Sequence, residues 1–328
     1  MRSAARGAAL IPTSSKGPEG VAPEGPQVHA VVLTWNGAHL LPECLAALRG
    51  QDSRARVHLV VVDNASSDGT GPLLAREFPE VEHLRLTENA GYARANNQAM
   101  RRALDAGAEF VALINNDVAV SPDWLRRLLE AAAAHPEAGL FTGTLLFRGE
   151  EVVNSTGLVI DALGRARDRD FRVPVAELTR TEGPVTGVSG GAALLRTSML
   201  REIGLFDPGY FAYYEDVDLS LRAARAGYRS WYVRGAAARH RFGASFGPGS
   251  PAQRYLLAVG HLRTLARHQP LPKAVLLVAL TVLYRAAVKA PLELLRVRPA
   301  LAWAELRAAA AGAGAALRAL SGRSPPRP

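Results

Sequence analysis

Three short apolar runs, each closed by polar turn residues, govern what this chain can become. VHAVVLTWNG (28–37), VHLVVVDNASSDGT (57–70) and FVALINNDVAV (110–120) are rich in Val, Leu and Ile and lack the strict alternation of a half-exposed strand. Between them, HLLPECLAALRGQ has helical spacing, 73–78 suggests a second helix, 81–86 a further strand, and 89–107 a loop leading into a helix. Strand, helix, strand, helix at this spacing predicts an α/β fold, a mostly parallel sheet with flanking helices. In open sheets of that kind, ligands bind beyond the carboxyl ends of the strands. Polar residues stand at those ends here: Thr34, Trp35 and Asn36; Asp63 and Asn64; Asn115, Asn116 and Asp117. Each group alone is ordinary turn chemistry. Three groups after three neighbouring strands would share one rim, and that convergence predicts a site.

The kind of site is narrowed by what is missing and by where the acids fall. The first turn contains no G-x-G-x-x-G, and no G-x-x-x-x-G-K-[ST] loop occurs anywhere, so dinucleotide and P-loop nucleotide binding lose their main support. Asp117, ending VALINND, offers a hard oxygen ligand suited to Mg²⁺ or Mn²⁺, ions that typically serve a phosphate-bearing substrate. GVSGGAALLR (187–196) is a small-residue segment able to approach a ligand closely. In GLFDPGYFAYYEDVDLSLRAARAGY, Asp218 reads as a helix-start acid that complements the dipole. Glu215 and Asp216, adjacent and behind four residues of FAYY, predict a carboxyl of raised pKa able to act as a general base. His240, after SWYVRGAAARH, becomes a metal-ligand candidate in combination with Asp117.

Charge is unevenly placed. From residue 240 to the end there are 13 Lys or Arg against two Asp or Glu, a balance of +11, which leaves −2 for the remainder of a chain whose formal charge is +9. A nearly neutral body with a basic end points to an anionic surface, either lipid headgroups or nucleic acid. That end has few aromatics to stack bases and no recognisable nucleic-acid motif, which disfavours the second. The single cysteine, Cys44, allows no internal disulfide and no cysteine metal cluster, which suits a reducing compartment. Residues 1–26 lack the apolar core of a secretory signal and read as a flexible tail. The apolar run AVLLVALTVLY (274–284) stops at Arg285 after 11 residues, short of the roughly 18 needed to cross hydrocarbon. It predicts an interfacial helix, flanked or interleaved by Lys273, Arg285, Lys289, Arg296 and Arg298, or else a buried C-terminal helix. The expected organisation is a tail (1–26), an α/β domain (27–245) and a basic, partly apolar helical extension (246–328).

Taken in order, VVLTWNG, VVVDNASSDGT, ENAGYARANNQA, LINNDV, GVSGGAALLR, IGLFDPGYFAYYEDVDLSLRAARAGY and His240 resemble the bacterial family 2 glycosyltransferases, in particular their rhamnosyltransferase-like branch, over residues 28–245. The resemblance implies a GT-A fold and transfer of a sugar from a nucleoside diphosphate donor, dTDP- or UDP-linked, with rhamnose as the sugar of this branch. It implies donor-binding roles for Thr34, Trp35, Asn36 and Asp63, the last accepting from a pyrimidine base. Gly91, Arg94 and Asn97 fall in the loop that closes over the donor, and Asn116 lies in the family's D-x-D triplet. That triplet reads Asn115-Asn116-Asp117 here, so Asp117 occupies its metal-binding end, with His240 as the additional ligand of Mg²⁺ or Mn²⁺. Asp216, beside Glu215, resembles the catalytic base of an inverting displacement. The acceptor implied is a lipid-linked or growing glycan at the inner face of the plasma membrane, with peripheral contact to anionic lipid and none to nucleic acid. The incomplete triplet also suits a catalytically inactive scaffold of the same fold, and the same pocket suits a nucleotide-sugar hydrolase.

Overall fold

The computed structural model describes residues 25–241, 243 and 247–321. Most of the expected tail therefore lies outside the described residues. The first half alternates as its apolar runs require: β1 (Gln27–Thr34), α1 (Leu41–Arg49), β2 (Arg56–Asp63), α2 (Thr70–Glu77), β3 (Glu82–Arg85), α3 (Gly91–Asp105), β4 (Phe110–Asn115), β5 (Val118–Val120) and α4 (Trp124–Ala134). Strands β1 to β4 are mutually parallel, in the spatial order β3-β2-β1-β4. Successive strands add on one side of β1 until β4 is laid on the other, and a crevice opens at such a reversal. Register fixes which residues border it: Thr34 pairs with Asp63, and Leu33 with Asn115. The three polar groups expected at strand ends therefore do share one rim.

The second half completes the sheet with β6 (Ala138–Phe147), β7 (Val153–Ser155), β8 (Leu158–Ile160), β9 (Ala166–Asp168), β10 (Gly183–Val185), β11 (Ala192–Arg196) and β12 (Arg229–His240). α5 (Thr197–Ile203) and α6 (Glu215–Arg225) lie between the last two strands. β11 enters antiparallel between β4 and β6, which brings its amino end, with Ser189 to Gly191, to the rim where β4 ends. β12 runs parallel to β6 and antiparallel to β5, pairing His240 with Val118. β8 and β9 form a separate hairpin. Apolar residues of both sheet faces are fully buried; Trp124, Phe141 and Leu41 fill one side, Met100, Leu113 and Leu140 the other. Burying a side chain of that size contributes roughly 1.5–3 kcal/mol.

Beyond the sheet come α7 (Pro251–His268), α8 (Leu271–Tyr284), α9 (Ala290–Leu295) and α10 (Pro299–Ser321), with α8 and α9 joined through a π-helical turn at Arg285–Lys289. The sequence expectation that the apolar segment ends at Arg285 is corrected here. The helix runs unbroken over Leu271–Leu295, 25 residues, long and apolar enough by length and composition to cross a membrane. Arg285 does not stop it because its guanidinium is neutralised by Glu305 of α10, 2.5 Å away and 1% exposed. The alternative of a buried helix also falls, since Ala274 is the one residue of α8 that is buried.

Candidate active site

Two cavities meet at the rim. One, of about 100 Å³, lies at the β1/β4 reversal and is bordered by Trp35, Asn64, Asn89, Gly91 and Asn116. The other, of about 260 Å³, is bordered by Asn154, Asp168, Gly190, Asp216 and His240, with Leu257 of α7 across from them. Tyr92, Asn115 and Ala212 border both, so the two cavities adjoin. Asp216 of the YED segment borders the larger cavity together with Asn115 of NND, whereas Asp117 borders neither cavity and lies in a separate small one with Leu40, Glu43 and Arg241, reaching the cleft through its neighbour His240.

On the smaller side, Thr34 Oγ1 accepts from Asn116 Nδ2 at 2.8 Å, linking the ends of β1 and β4. Gly37 makes this approach feasible, because a Cβ there would lie 2.1 Å from Asn116 Nδ2. Trp35 leaves nearly half of its surface exposed beside the cavity. Asn36, at φ 51°, is occupied with its own turn: its N–H donates to Ser66 Oγ, and its Oδ1 accepts from the Ser67 N–H. Asp63 is fully buried, accepting from the Ser66 N–H at 2.7 Å and from Arg85 at 2.7 Å. Burial works to raise its carboxyl, but hydrogen bonds from Ser66 and His83 and the Arg85 charge hold it below the usual range. Its neighbour Asn64, not Asp63, borders the cavity.

Gly91, Arg94 and Asn97 do not lie in a closing loop; all three belong to α3. Gly91 starts that helix at φ 77°, where a Cβ would sit 2.5 Å from the Phe211 carbonyl, and it borders the cavity. Arg94 donates to the Pro208 carbonyl, and buried Asn97 is bonded both ways to the Phe206 backbone. These two bind α3 to the segment that precedes α6: Asn97 is buried there, whereas Arg94 makes its one bond among the described residues from an exposed position.

On the larger side, the first turn of α6 carries Glu215 and Asp216 behind Tyr214, whose φ is 71°. Asp216 Oδ2 accepts from the Gly190 N–H at 2.9 Å and Oδ1 from the Val217 N–H at 2.8 Å. Burial raises both carboxyls, and Asp216 raises Glu215 further; Oε2 of Glu215 is buried without a partner among the described residues. The hydrogen bonds favour the charged form of Asp216 and oppose part of the rise that burial causes. Asp218, by contrast, points away from the cleft into ion pairs with Arg222, Arg267 and His268.

Asp117 and His240 lie side by side, Oδ1 to Nε2 3.3 Å, because β5 and β12 pair there. Asp117 Oδ1 is buried with no hydrogen-bond partner among the described residues. An orphaned carboxylate oxygen beside an imidazole nitrogen is a donor pair that would suit a hard divalent cation such as Mg²⁺ or Mn²⁺. Three cleft residues escaped the sequence reading. Tyr92 Oη donates to the Gly190 carbonyl at 2.7 Å, Asn154 meets His240, and Asp168 adds a third carboxyl. Burial, opposed by a Ser155 hydrogen bond and reinforced by the Asp216 charge, pushes Asp168 up to about 6.

The profile of Glycosyl transferase family 2 matches residues 30–204. An N-acetylglucosaminyl-diphospho-decaprenol L-rhamnosyltransferase of Mycobacterium tuberculosis is 31% identical over 230 residues, 64% of this chain and 74% of that protein. An undecaprenyl-phosphate mannosyltransferase of Micrococcus luteus is 29% identical over 208 residues, 62% of this chain and 80% of its own length. Among solved structures, the mannosyltransferase PcManGT from Pyrobaculum calidifontis, in complex with GDP-Man and Mn²⁺, superposes with a TM-score of 0.54 at 22% identity, covering 94% of this chain and 91% of that one.

Proposed function

The chain belongs to glycosyl transferase family 2, with a rhamnosyltransferase-like sequence and a GT-A fold, and on that premise we propose how it acts. It moves a sugar, rhamnose, from a dTDP- or UDP-linked donor to a hydroxyl of a lipid-linked or polysaccharide acceptor during cell-surface glycan synthesis, with inversion at the anomeric carbon. The observation that carries this reading is that the two cavities adjoin, with Tyr92, Asn115 and Ala212 bordering both. A donor held at the β1/β4 crevice would present its anomeric carbon to the carboxylate of Asp216 across that junction.

The donor side is assigned to Thr34, Trp35, Asn36, Gly91 and Asn116, with the exposed Trp35 ring available to a nucleobase. Asp63, Arg94 and Asn97 support that side from behind. On the acceptor side, Asp216 takes the hydroxyl proton as the oxygen bonds to the anomeric carbon and the diphosphate leaves with the electron pair of the broken bond. Glu215, holding its proton, keeps a second negative charge from building beside the base. Asp117 and His240 would hold Mg²⁺ or Mn²⁺. When bound, that ion neutralises charge gathering on the departing diphosphate.

Both curated relatives are named for polyprenyl-linked substrates, which supports a lipid-linked acceptor. The C-terminal helices support the same reading. Glu293 and Glu305 hold Arg254, Arg285 and Lys289, while leucines and the charges of Lys273, Arg296 and Arg298 are exposed. Such an arrangement suits a lipid surface better than water, so we place residues 27–245 as the transferase domain and 246–328 as a peripheral membrane contact at the inner face.

The test is a thermal-shift panel of nucleoside diphosphate sugars, with and without Mg²⁺ or Mn²⁺, followed by transfer to extracted lipid-linked saccharides. Binding at a hundred times Kd stabilises by about 2.7 kcal/mol. One donor class should stand out, more strongly with the cation, and should support transfer. Stabilisation by no donor together with absent transfer would leave the inactive scaffold as the better account.

A further inference from the structure

Gly190 lies where the segment leading into β11 passes the cleft, and side chains from two other elements take both of its backbone polar groups. Its N–H donates to Asp216 Oδ2 at 2.9 Å, and its carbonyl accepts from Tyr92 Oη at 2.7 Å. The segment is anchored on either side. The Val188 N–H donates to Ser220 Oγ at 3.3 Å, and the Gly191 carbonyl accepts from the Asn115 N–H at 2.9 Å. Between those anchors, among the described residues, the hydrogen bonds that reach Gly190 from other elements are the ones to Tyr92 and Asp216.

Tyr92 is a fixed point for such a tie. Its own N–H donates to the Phe211 carbonyl at 2.5 Å, and Asn96 Nδ2 donates to its carbonyl at 3.0 Å. Burial, reinforced by the charges of Glu215, Asp216 and Asp117, pushes its phenol well above the ordinary tyrosine range, so Oη keeps the proton that it donates. A Cβ on Gly190 would stand 3.3 Å from Tyr92 Oη and 3.5 Å from Asp216 Oδ2. Glycine lets both groups close on one residue, and the freedom of its backbone means that its N–H keeps a direction only while something holds it. Tyr92 also borders both cavities, so the tie lies where the donor side meets the base. We propose that Tyr92 is a positioning residue: its hydroxyl fixes Gly190, and through the Gly190 N–H it holds the Asp216 carboxylate where it takes the acceptor proton. The proposal rests on reading Asp216 as the base.

Tyr92→Phe keeps the ring and removes the donor. With the donor sugar selected by the thermal-shift panel and extracted lipid-linked saccharides, kcat should fall about tenfold and both KM values should stay as in the wild type, one lost hydrogen bond expressed as a rate. In the Asp216→Asn background, where no base remains to be positioned, the same substitution should leave the residual rate as it is. Any stability lost in urea unfolding should be equal in the two backgrounds. Amide hydrogen exchange of Gly190, followed by NMR without ligand, should be about tenfold faster in Tyr92→Phe than in the wild type. Unchanged exchange overturns the proposal whatever the rates show, and so does an unchanged kcat. A loss carried by KM, or an equal loss of rate in both backgrounds, makes Tyr92 a brace of the fold and overturns it too. If Asp216→Asn transfers at nearly the wild-type rate, or the wild type transfers nothing, the base reading falls first and the proposal with it. A slow Asp216→Asn beside a Tyr92→Phe as fast as the wild type removes the positioning role alone.

Discussion

Asp216 sits between two backbone N–H donors while Glu215, one residue earlier, buries an oxygen without a partner. Neighbouring carboxyls in unlike surroundings divide the labour of acid and base, and here the division favours a charged Asp216. We expect Asp216→Asn to fold normally and to lose about 10²–10⁴-fold in transfer rate, the usual cost of a positioned base. Near-full activity in the purified variant would remove the assignment. Because burial raises both carboxyls, the rate should climb with pH through a value above the ordinary aspartate pKa of about 3.9. Stability should move the opposite way: a raised carboxyl keeps in the native state a proton that the unfolded chain has released, so its contribution shrinks as pH rises. At this scale Glu215 and Asp216 were legible because they stand adjacent among aromatics, and Asp117 because it closes the turn that follows an apolar run. Tyr92, Asn154 and Asp168 carried no such local signal. Their roles come from contacts between distant segments: α3 against Gly190 for Tyr92, β7 on β6 for Asn154, and the β8–β9 hairpin for Asp168.

Asp218 shows how an element can be read correctly and its purpose missed. As a helix-start acid it looked like a dipole partner, yet its two oxygens reach Arg222 on α6 and Arg267 and His268 on α7. Burial would raise its carboxyl, but the His268 hydrogen bond and the charges of Arg222 and Arg267 hold it well below the usual range. The cluster therefore fastens the first C-terminal helix to the transferase core, and with it Leu257, which faces the cleft. Removing one partner of a buried ion pair costs about 3–5 kcal/mol, because the other charges stay buried. We expect Asp218→Asn to lose about that much in urea unfolding at neutral pH. Since the depressed pKa means that the native state sheds the proton first, the stabilisation is complete above the ordinary aspartate range and disappears as pH falls through the lower native value. A variant as stable as the wild type at pH 7 would show that the cluster contributes nothing net. Elements built on local pattern, the parallel strands and α1 to α3, were legible in the sequence. The insertion of β11 and the β6–β12 pairing were not, because strand order depends on which faces remain to be covered after the first half has folded.

For the molecule as a whole, the question is what meets the outer face of α8 and α9. Leu276, Leu280 and Leu283, spaced four and three residues apart on one helical face, are each more than half exposed. Arg285, where the apolar run stops in the sequence, and Glu293 turn inward to ion pairs with Glu305 and Arg254, and the partly exposed Lys289 reaches Glu305. Deleting the extension is a poor test, because α10 packs along α7 and its loss would strip a helix that the core depends on; Gly312 of α10 lies directly against Leu262 of α7. Substituting the three leucines with Gln leaves that packing alone, and exposed positions change stability by within about 0.5 kcal/mol. Fully burying a leucine contributes about 1.5–3 kcal/mol. With roughly half of each side chain already covered, the three together should contribute about 3 kcal/mol to lipid binding, or two orders of magnitude in affinity. Sedimentation with anionic phosphatidylglycerol vesicles should show the wild type bound and the triple variant about a hundred-fold weaker. Added salt should weaken the wild type further, by about 1 kcal/mol for each Lys or Arg that it screens at the surface. Transfer to a short water-soluble acceptor should be unchanged, since none of the three leucines borders the cleft. Equal vesicle binding by the two proteins would mean that this face meets something other than lipid, and that the acceptor reaches Asp216 without help from the surface on which the enzyme was proposed to sit.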